Sequence, residues 1–151
     1  MSLLIDTNVL LRIADDQSPE HSTAETAVEH LLARNVTLFI STQVLVEFWA
    51  VATRPKDVNG LGWSMLMAAE GIRGLRDRFP LLAETPEVLD LWFELVNRCK
   101  VTGRRCHDAR LAALVLAHGF QRLLTFDTAD FPRSWGVDAA HPKQFAATPI
   151  N

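Results

Sequence analysis

Short apolar segments that are typical of β-strands alternate with longer helical patterns along this chain. The helical segments show apolar residues on one face, whereas the strand-like segments are β-branched or uniformly apolar and lie at 3–5, 36–40, 80–83, 122–125 and 137–140. Strands that are separated by helices pair in parallel, because each connection must cross the sheet. The sequence therefore predicts an α/β sandwich with a parallel sheet.

Helix boundary signals refine this prediction at several places. Ser18 and Pro19 have the residue types of an N-cap and a first helical position, so a second helix is expected to begin there. The segment 43–52 is apolar on nearly every side, which predicts a buried helix, and the segment 63–75 is expected to place a Met-rich face in the core or on a partner surface. The tail from His141 is expected to be irregular.

Composition limits the class of protein. A length of 151 residues fits one domain, 1–151, and the net charge of −3 requires any nucleic-acid contact to use a local basic patch. The two cysteines, Cys99 and Cys106, form neither a disulfide framework nor a CxxC motif. We found no signal peptide and no apolar run long enough to cross a bilayer, so a cytoplasmic protein without a membrane segment is expected.

Four acidic residues occupy positions at which parallel α/β sheets usually bind ligands. Asp6 and Asp127 follow strands, and Glu47 and Asp108 lie on helices that begin just beyond strand positions. Each has an ordinary alternative explanation: Asp6 and Asp108 as helix caps, Asp127 as a turn residue, and Glu47 as the partner of a basic residue such as Arg54. Right-handed crossovers would nevertheless bring all four carboxylates to one edge of the sheet.

Carboxylates that are gathered at one point repel one another unless a cation holds them together. An all-oxygen ligand set favours Mg²⁺ or Mn²⁺ over zinc. A bound divalent ion can activate water and polarise a phosphoryl oxygen, so metal-dependent phosphodiester hydrolysis fits this set of residues. Other phosphate chemistries fit less well: a haloacid-dehalogenase-like phosphatase would have Asp where Asn8 stands, and no GxxxxGK[ST] or GxGxxG motif is present.

The chain resembles the PIN-domain nucleases over nearly its whole length. The resemblance rests on four motifs in order, which are Leu-Ile-Asp6-Thr-Asn8, Ser41-Thr-Gln-Val-Leu-Val-Glu47, Asp108-Ala-Arg-Leu-Ala-Ala and Leu-Leu-Thr125-Phe-Asp127-Thr-Ala-Asp130-Phe131. Size and layout resemble the VapC-type ribonucleases of bacterial toxin–antitoxin modules. This resemblance implies a three-layer α/β/α fold with a mainly parallel central sheet, Mg²⁺- or Mn²⁺-dependent endoribonuclease activity on RNA, a homodimer, and neutralisation by a cognate antitoxin.

The resemblance also implies a role for each matching residue. Asp6, Glu47 and Asp108 would be catalytic metal ligands, directly or through water, and Asp127 would be the fourth. Supporting roles fall to Thr7, Asn8, Thr125 and Asp130. The basic residues Arg104, Arg105 and Arg110 are candidates for contacts with RNA phosphates, although Arg110 could instead neutralise a carboxylate. His107 is expected to point away from the site because helical neighbours lie about 100° apart. The alternative function is a catalytically silent PIN-like module that binds RNA or protein, although such a module would usually have lost some of these acids.

Overall fold

A computed structural model describes residues 1–147 and contains a parallel sheet at its centre. The four strands of the described residues are β1 (Ser2–Ile5), β2 (Thr37–Phe39), β3 (Arg122–Leu124) and β4 (Asp138–Ala140). Their order in the sheet is β2-β1-β3-β4, and every pairing is parallel. The predicted α/β fold with a parallel central sheet is confirmed.

Helices connect the strands and cover the sheet. Their bounds are α1 (Thr7–Ala14), α2 (His21–Ala33), α3 (Thr42–Thr53), α4 (Met65–Arg78), α5 (Pro86–Arg98), α6 (Arg105–Ala117) and α7 (Lys143–Ala146). Helix α2 packs against α1 and α7, α3 packs against α1 and α4, and α5 packs against α6. Among residues 1–147 no helix combines the length and the apolar character that crossing a membrane would require.

The central strands are apolar because helices cover both faces of the sheet. Leu3, Leu4 and Ile5 of β1 are fully buried, as are Leu123 and Leu124 of β3. Uniformly apolar strands are typical of parallel sheets whose two faces are both packed. The same burial places the polar residues that follow these strands at the edge of a dry core.

The sheet reverses its order of growth between β1 and β3. From β1 the chain first adds β2 on one side of the sheet, and it later returns to add β3 and β4 on the other side. Ligands in open α/β sheets bind at such a switch point, outside the carboxyl ends of the strands. Asp6 and Thr125 follow the paired strand ends Ile5 and Leu124 at this point.

Two predicted element boundaries are wrong for identifiable reasons. Residues 80–83 do not form a strand, and only Leu81 forms a bridge with Ile40. The ladder cannot extend before Leu81 because Pro80 has no N–H, and it cannot extend after Leu81 because the partner segment enters α3 at Thr42. Helix α2 begins at His21 instead of Ser18. The Ser18 Oγ atom accepts a hydrogen bond from the Glu20 N–H at 3.3 Å, so Ser18 and Pro19 belong to a turn.

Helices α3 and α4 each keep one face outside the core. The prediction that α3 is buried is wrong for its outer face, since Val46 is 63% exposed. On α4, Met65 and Leu66 are largely exposed, which excludes the core for the Met-rich face and leaves a partner surface as the other expected position. The tail is not irregular throughout, because α7 forms there and the Phe145 carbonyl contacts His30 Nδ1 at 2.8 Å; residues 148–151 lie outside the described part of the chain.

Candidate active site at the β1–β3 switch point

Asp6 is both a helix cap and the most buried acid of the predicted set. Its Oδ1 atom accepts a hydrogen bond from the Thr7 N–H at 2.8 Å, which caps α1. Its Oδ2 atom accepts a hydrogen bond from the Thr125 hydroxyl at 2.8 Å. The residue is only 8% exposed. Asp6 therefore does cap α1, as the alternative explanation expected. The cap uses only Oδ1, and Oδ2 contacts Thr125 at the end of β3.

Asn8 and Thr125 join Asp6 to Asp127. The Asn8 Nδ2 atom lies 3.0 Å from Thr125 Oγ1, 3.1 Å from Asp127 Oδ2 and 3.3 Å from Asp6 Oδ2. The Thr125 hydroxyl also accepts the Asp127 N–H at 3.0 Å, and Asn8 Oδ1 accepts the Phe126 N–H at 3.0 Å. Asn8 and Thr125 therefore contact the acidic residues that they were expected to support. The same hydrogen bonds connect the loop after β3 to the start of α1.

Glu47 reaches the same site from α3. Its Oε2 atom accepts a hydrogen bond from the Thr7 hydroxyl at 2.7 Å, and its Oε1 atom accepts one from Gln43 Nε2 at 3.0 Å. Within residues 1–147 Glu47 forms no ion pair, so the alternative of a salt bridge to Arg54 does not hold. The carboxylate is therefore held by neutral donors.

Burial and neighbouring charges perturb the ionisation of Asp6. Its pKa is raised from 3.8 to about 6, chiefly because burial disfavours the charged form. Hydrogen bonds from Thr125 and Thr7 act in the opposite direction, while the negative charges of Asp108 and Glu47 raise the pKa as well. The electrostatic coupling of Asp6 to the acids of α3 and α6 indicates that the topology has brought these carboxylates together.

Asp108, in the first turn of α6, has a pKa raised to a similar degree. The value rises from 3.8 to about 6, first through burial and then through the negative charge of Asp130, with smaller contributions from Glu47 and Asp127. The Arg105 guanidinium lowers it. Asp130, which we expected to be only a supporting residue, thus exerts the strongest charge effect on Asp108 and faces the same site.

The donor set fits a hard divalent cation. Asp6, Glu47, Asp108 and Asp127 form no ion pairs within the described residues, and Asp6 and Asp108 resist ionisation chiefly because they are buried and further because other acids lie near them. No three acidic, histidine or cysteine side chains among residues 1–147 are arranged as a complete metal-binding group. Mg²⁺ commonly keeps several waters and uses one or two protein carboxylates, so it does not require such a group.

The three predicted RNA-contacting arginines differ in their surroundings. Arg104 is exposed just before α6. Arg105 stacks over the Trp135 ring at 5.0 Å and donates to the Asp130 carbonyl at 3.3 Å. Arg110 is occupied by other protein groups, because it donates to Gln43 Oε1 at 2.7 Å and forms an ion pair with Glu84 at 3.0 Å.

Sequence reasoning missed Gln43, which is 8% exposed and contacts Glu47 directly. A signal was present, because Gln43 precedes Glu47 by four residues in an otherwise apolar helix, and side chains at that spacing are neighbours. His107 is exposed, and its backbone carbonyl accepts a hydrogen bond from Gln43.

A comparison with known families places this site in context. The family profile of the PIN domain matches residues 3–134, which cover most of the chain and all of the acidic residues discussed above. The chain belongs to the PIN domain family.

Relatives of this PIN-domain protein agree in length and fold. The chain is similar to "Ribonuclease VapC48" of Mycobacterium tuberculosis, with 28% identity over 145 residues that cover 94% of this chain and 98% of the relative. It is also similar to "Ribonuclease VapC24" of the same organism, with 29% identity over 144 residues, covering 88% and 94%. Among solved structures, VapBC2 from Rickettsia felis, crystallised with a DNA fragment from its promoter, superposes with a TM-score of 0.72 at 18% identity and covers 93% of this chain and 98% of that one.

Proposed function

We propose that this PIN-domain protein is an endoribonuclease that hydrolyses RNA phosphodiester bonds and serves as the toxin of a toxin–antitoxin pair. The observation that carries the proposal is the electrostatic coupling of Asp6, Glu47, Asp108 and Asp127 near the switch point of the sheet, none of which forms an ion pair within the described residues. The similarity to Ribonuclease VapC48 and Ribonuclease VapC24 supports the choice of RNA as substrate. One hydrophobic core runs through the described residues, and we take the chain, 1–151, as one nuclease domain.

We propose that the cofactor is Mg²⁺ or Mn²⁺, held by Asp6, Glu47, Asp108 and Asp127 directly or through water. When bound, such an ion supplies positive charge to a phosphoryl oxygen and lowers the pKa of a coordinated water. The protein's own contribution is orientation. Thr125 and Asn8 hold Asp6 and Asp127 at fixed distances, and Thr7 holds Glu47.

We assign the approach of RNA to the basic residues beside α6. Arg104 is exposed directly before α6, the helix that carries Asp108, and Arg105 combines a charge close to Asp108 with a stacked position on Trp135. Contacts from such residues to phosphates would fix the position of the strand without reading its sequence. Arg110 is the weakest member of this group, because Glu84 and Gln43 already occupy its guanidinium.

We propose a cognate antitoxin as the protein partner, a homodimer as the assembly and the cytoplasm as the location. Similarity to a protein whose solved structure is a VapBC assembly supports the antitoxin. Exposed apolar residues on α4 and α5, including Leu66 and Phe93, leave surface for contacts with another chain.

The function is tested with purified protein, free of antitoxin, and a pool of structured and unstructured RNAs. Wild type, Asp6→Asn and the exposed control Asp57→Asn are compared in Mg²⁺, in Mn²⁺ and in EDTA. We expect metal-dependent cleavage by wild type and by Asp57→Asn. For Asp6→Asn we expect a loss larger than the about 10- to 100-fold decrease that is typical of removing an outer-shell residue.

Cleavage that persists in EDTA, or that is equal in Asp6→Asn and wild type, would contradict the proposed metal-dependent chemistry. Binding of RNA without turnover, with all three proteins folded, would instead support a catalytically silent RNA-binding module.

A further inference from the structure

We propose that Gln43 is a positioning residue that orients the Glu47 carboxylate for the divalent cation, and that Arg110 and Glu84 fix Gln43 in turn. The inference rests on the proposed function, because it assigns residues that support the metal site of the nuclease. It differs from the expectation that Arg110 serves RNA binding. The geometry points instead to a chain of four side chains that runs from the surface to the acidic site.

The amide of Gln43 has a partner for each of its polar atoms. Its Nε2 donates to Glu47 Oε1 at 3.0 Å and to the His107 carbonyl at 2.8 Å, while its Oε1 accepts from Arg110 at 2.7 Å. Rotating the amide by half a turn would place its oxygen against two acceptors and its NH₂ group against a guanidinium, which only donates. The surroundings therefore determine a single orientation of the amide.

The Gln43 amide also connects the two helices that carry acidic site residues. Gln43 and Glu47 lie on α3, whereas His107 immediately precedes Asp108 in the first turn of α6. One side chain thus holds Glu47 in position and ties it to the backbone next to Asp108. Loss of this connection would free the Oε1 side of Glu47 and weaken the link between the two helices.

Arg110 anchors the amide from the outside. Its guanidinium forms an ion pair with Glu84 at 3.0 Å and donates its other contact to Gln43. Because Glu84 takes up the positive charge of Arg110, that charge does not pair with Glu47. The guanidinium therefore orders the buried amide without neutralising the carboxylate beyond it.

A neutral donor suits a carboxylate that has to bind a cation. Glu47 receives one hydrogen bond on each oxygen, from Thr7 and from Gln43, and no ion pair within residues 1–147. A lysine or arginine at position 43 would compete with the cation for the negative charge. An amide fixes the direction of the carboxylate and leaves its charge available, as residues behind metal ligands generally do.

The first test replaces Gln43 by methionine, which keeps the length of the side chain and removes the donor. Gln121→Met is the control for the same substitution far from the site. Gln121 is exposed and directly precedes β3, so it lies at the amino ends of the strands, whereas the site lies at their carboxyl ends. Binding of Mn²⁺ to the full-length protein is measured by isothermal titration without RNA. We expect Gln43→Met to lower Mn²⁺ affinity by about 10- to 100-fold, and to lower kcat for RNA while KM stays near that of wild type.

Two further variants separate positioning from folding and from RNA binding. Arg110→Gln changes a half-buried residue and is the safer substitution if Gln43→Met does not fold, which thermal unfolding would reveal. We expect it to lower Mn²⁺ affinity in the absence of RNA, whereas an arginine that contacted only phosphates would change KM alone. In a Glu47→Gln background, Gln43→Met should cause no further decrease in Mn²⁺ affinity, because its effect passes through Glu47.

The proposal is overturned if folded Gln43→Met and Arg110→Gln both bind Mn²⁺ as wild type does, or if Gln43→Met has an undiminished effect beside Glu47→Gln. Mn²⁺ binding that depends on Gln43 in a protein that cleaves none of the RNAs would support the positioning role and count against the ribonuclease. A wild-type protein that does not bind Mn²⁺ at all would contradict both proposals.

Discussion

At the scale of single residues, the acidic site is a place where folding and function oppose each other. Asp6 and Asp108 are held in surroundings that disfavour their charged forms; neither forms an ion pair within the described residues, and the Arg105 guanidinium offsets the raised pKa of Asp108 only in part. Strongly perturbed carboxylates of this kind are common at functional sites and uncommon in residues that only stabilise a fold. Without a cation, the protein therefore carries an electrostatic penalty at this site.

That penalty predicts how stability depends on pH. A carboxyl whose pKa is raised in the folded state binds its proton more tightly there than in the unfolded state, so its contribution favours the folded protein at low pH. As the pH rises from about 4 to about 6, this contribution is lost. For Asp6, a change from 3.8 to about 6 corresponds to about 3 kcal/mol of the free energy of unfolding.

We therefore expect Asp6→Asn to be more stable than wild type at pH 7 in EDTA and nearly equal to it at pH 4. Chemical denaturation across this pH range measures the difference, and Asp57→Asn, which changes an exposed carboxylate, serves as the control. Saturating Mg²⁺ should reduce or reverse the advantage of Asp6→Asn, because a cation that binds only the folded wild type stabilises it. A difference between the two proteins that does not vary with pH would refute the assigned perturbation of Asp6.

At the scale of elements, α3 and α4 begin in the same way but serve different parts of the molecule. The Ser41 hydroxyl accepts the Val44 N–H at 3.3 Å at the start of α3, and the Ser64 hydroxyl accepts the Met67 N–H at 3.1 Å at the start of α4. Helix α3 carries Gln43 and Glu47, whereas α4 carries none of the site residues. Equal losses of helix stability should therefore have unequal effects on function.

We expect Ser41→Ala and Ser64→Ala each to lower the free energy of unfolding by about 1 kcal/mol, which is typical for the loss of an N-cap. Only Ser41→Ala should also lower RNA cleavage and Mn²⁺ affinity, because fraying of the first turn of α3 displaces Gln43. Urea denaturation and metal titration of the two variants test this. Equal effects of both substitutions on Mn²⁺ affinity would contradict a special role for the first turn of α3.

At the scale of the whole molecule, apolar surface remains uncovered on two helices. On α5, Leu89 and Phe93 are four residues apart and largely exposed, so they share one face. On α4, Met65 and Leu66 are exposed as well. Large apolar side chains that cluster on a surface commonly mark contacts with another protein chain.

We expect wild type to be a dimer by light scattering, and at least one of Phe93→Glu and Leu66→Glu to be a monomer, because a charge buried at an apolar interface is strongly unfavourable. The two variants serve as controls for each other and identify the face that is used. A monomeric wild type, or dimers for both variants, would contradict association through these faces.

Much of this arrangement could be predicted from local sequence. The apolar segment before Asp6 and the segment before Thr125 predicted parallel strands with polar residues at their carboxyl ends, and the structure confirms both strands. Such features depend on backbone chemistry within a few residues, so a short window of sequence contains the information.

Long-range contacts escaped prediction. The burial of α3 was overestimated because an apolar helix does not show which of its faces meets the core. Likewise, the sequence around Gln43 does not show that its amide contacts His107 and Arg110, because both lie on α6, more than 60 residues later. The segment 80–83 has the composition of a strand, but it pairs only through the bridge between Leu81 and Ile40. The extent of this pairing depends on a partner segment about 40 residues away in the sequence.

The sequence by itself determined the alternation of helices with the strands β1, β2, β3 and β4, the residue types at the strand ends and hence the acidic character of the site, because these follow from local propensity and periodicity. The tertiary structure alone decided that Asp6 and Asp108 share one electrostatic environment, that Asp130 faces Asp108, and that Arg110 supports Gln43. Burial and Coulomb interactions depend on distance in space, and folding sets those distances between residues that lie far apart along the chain.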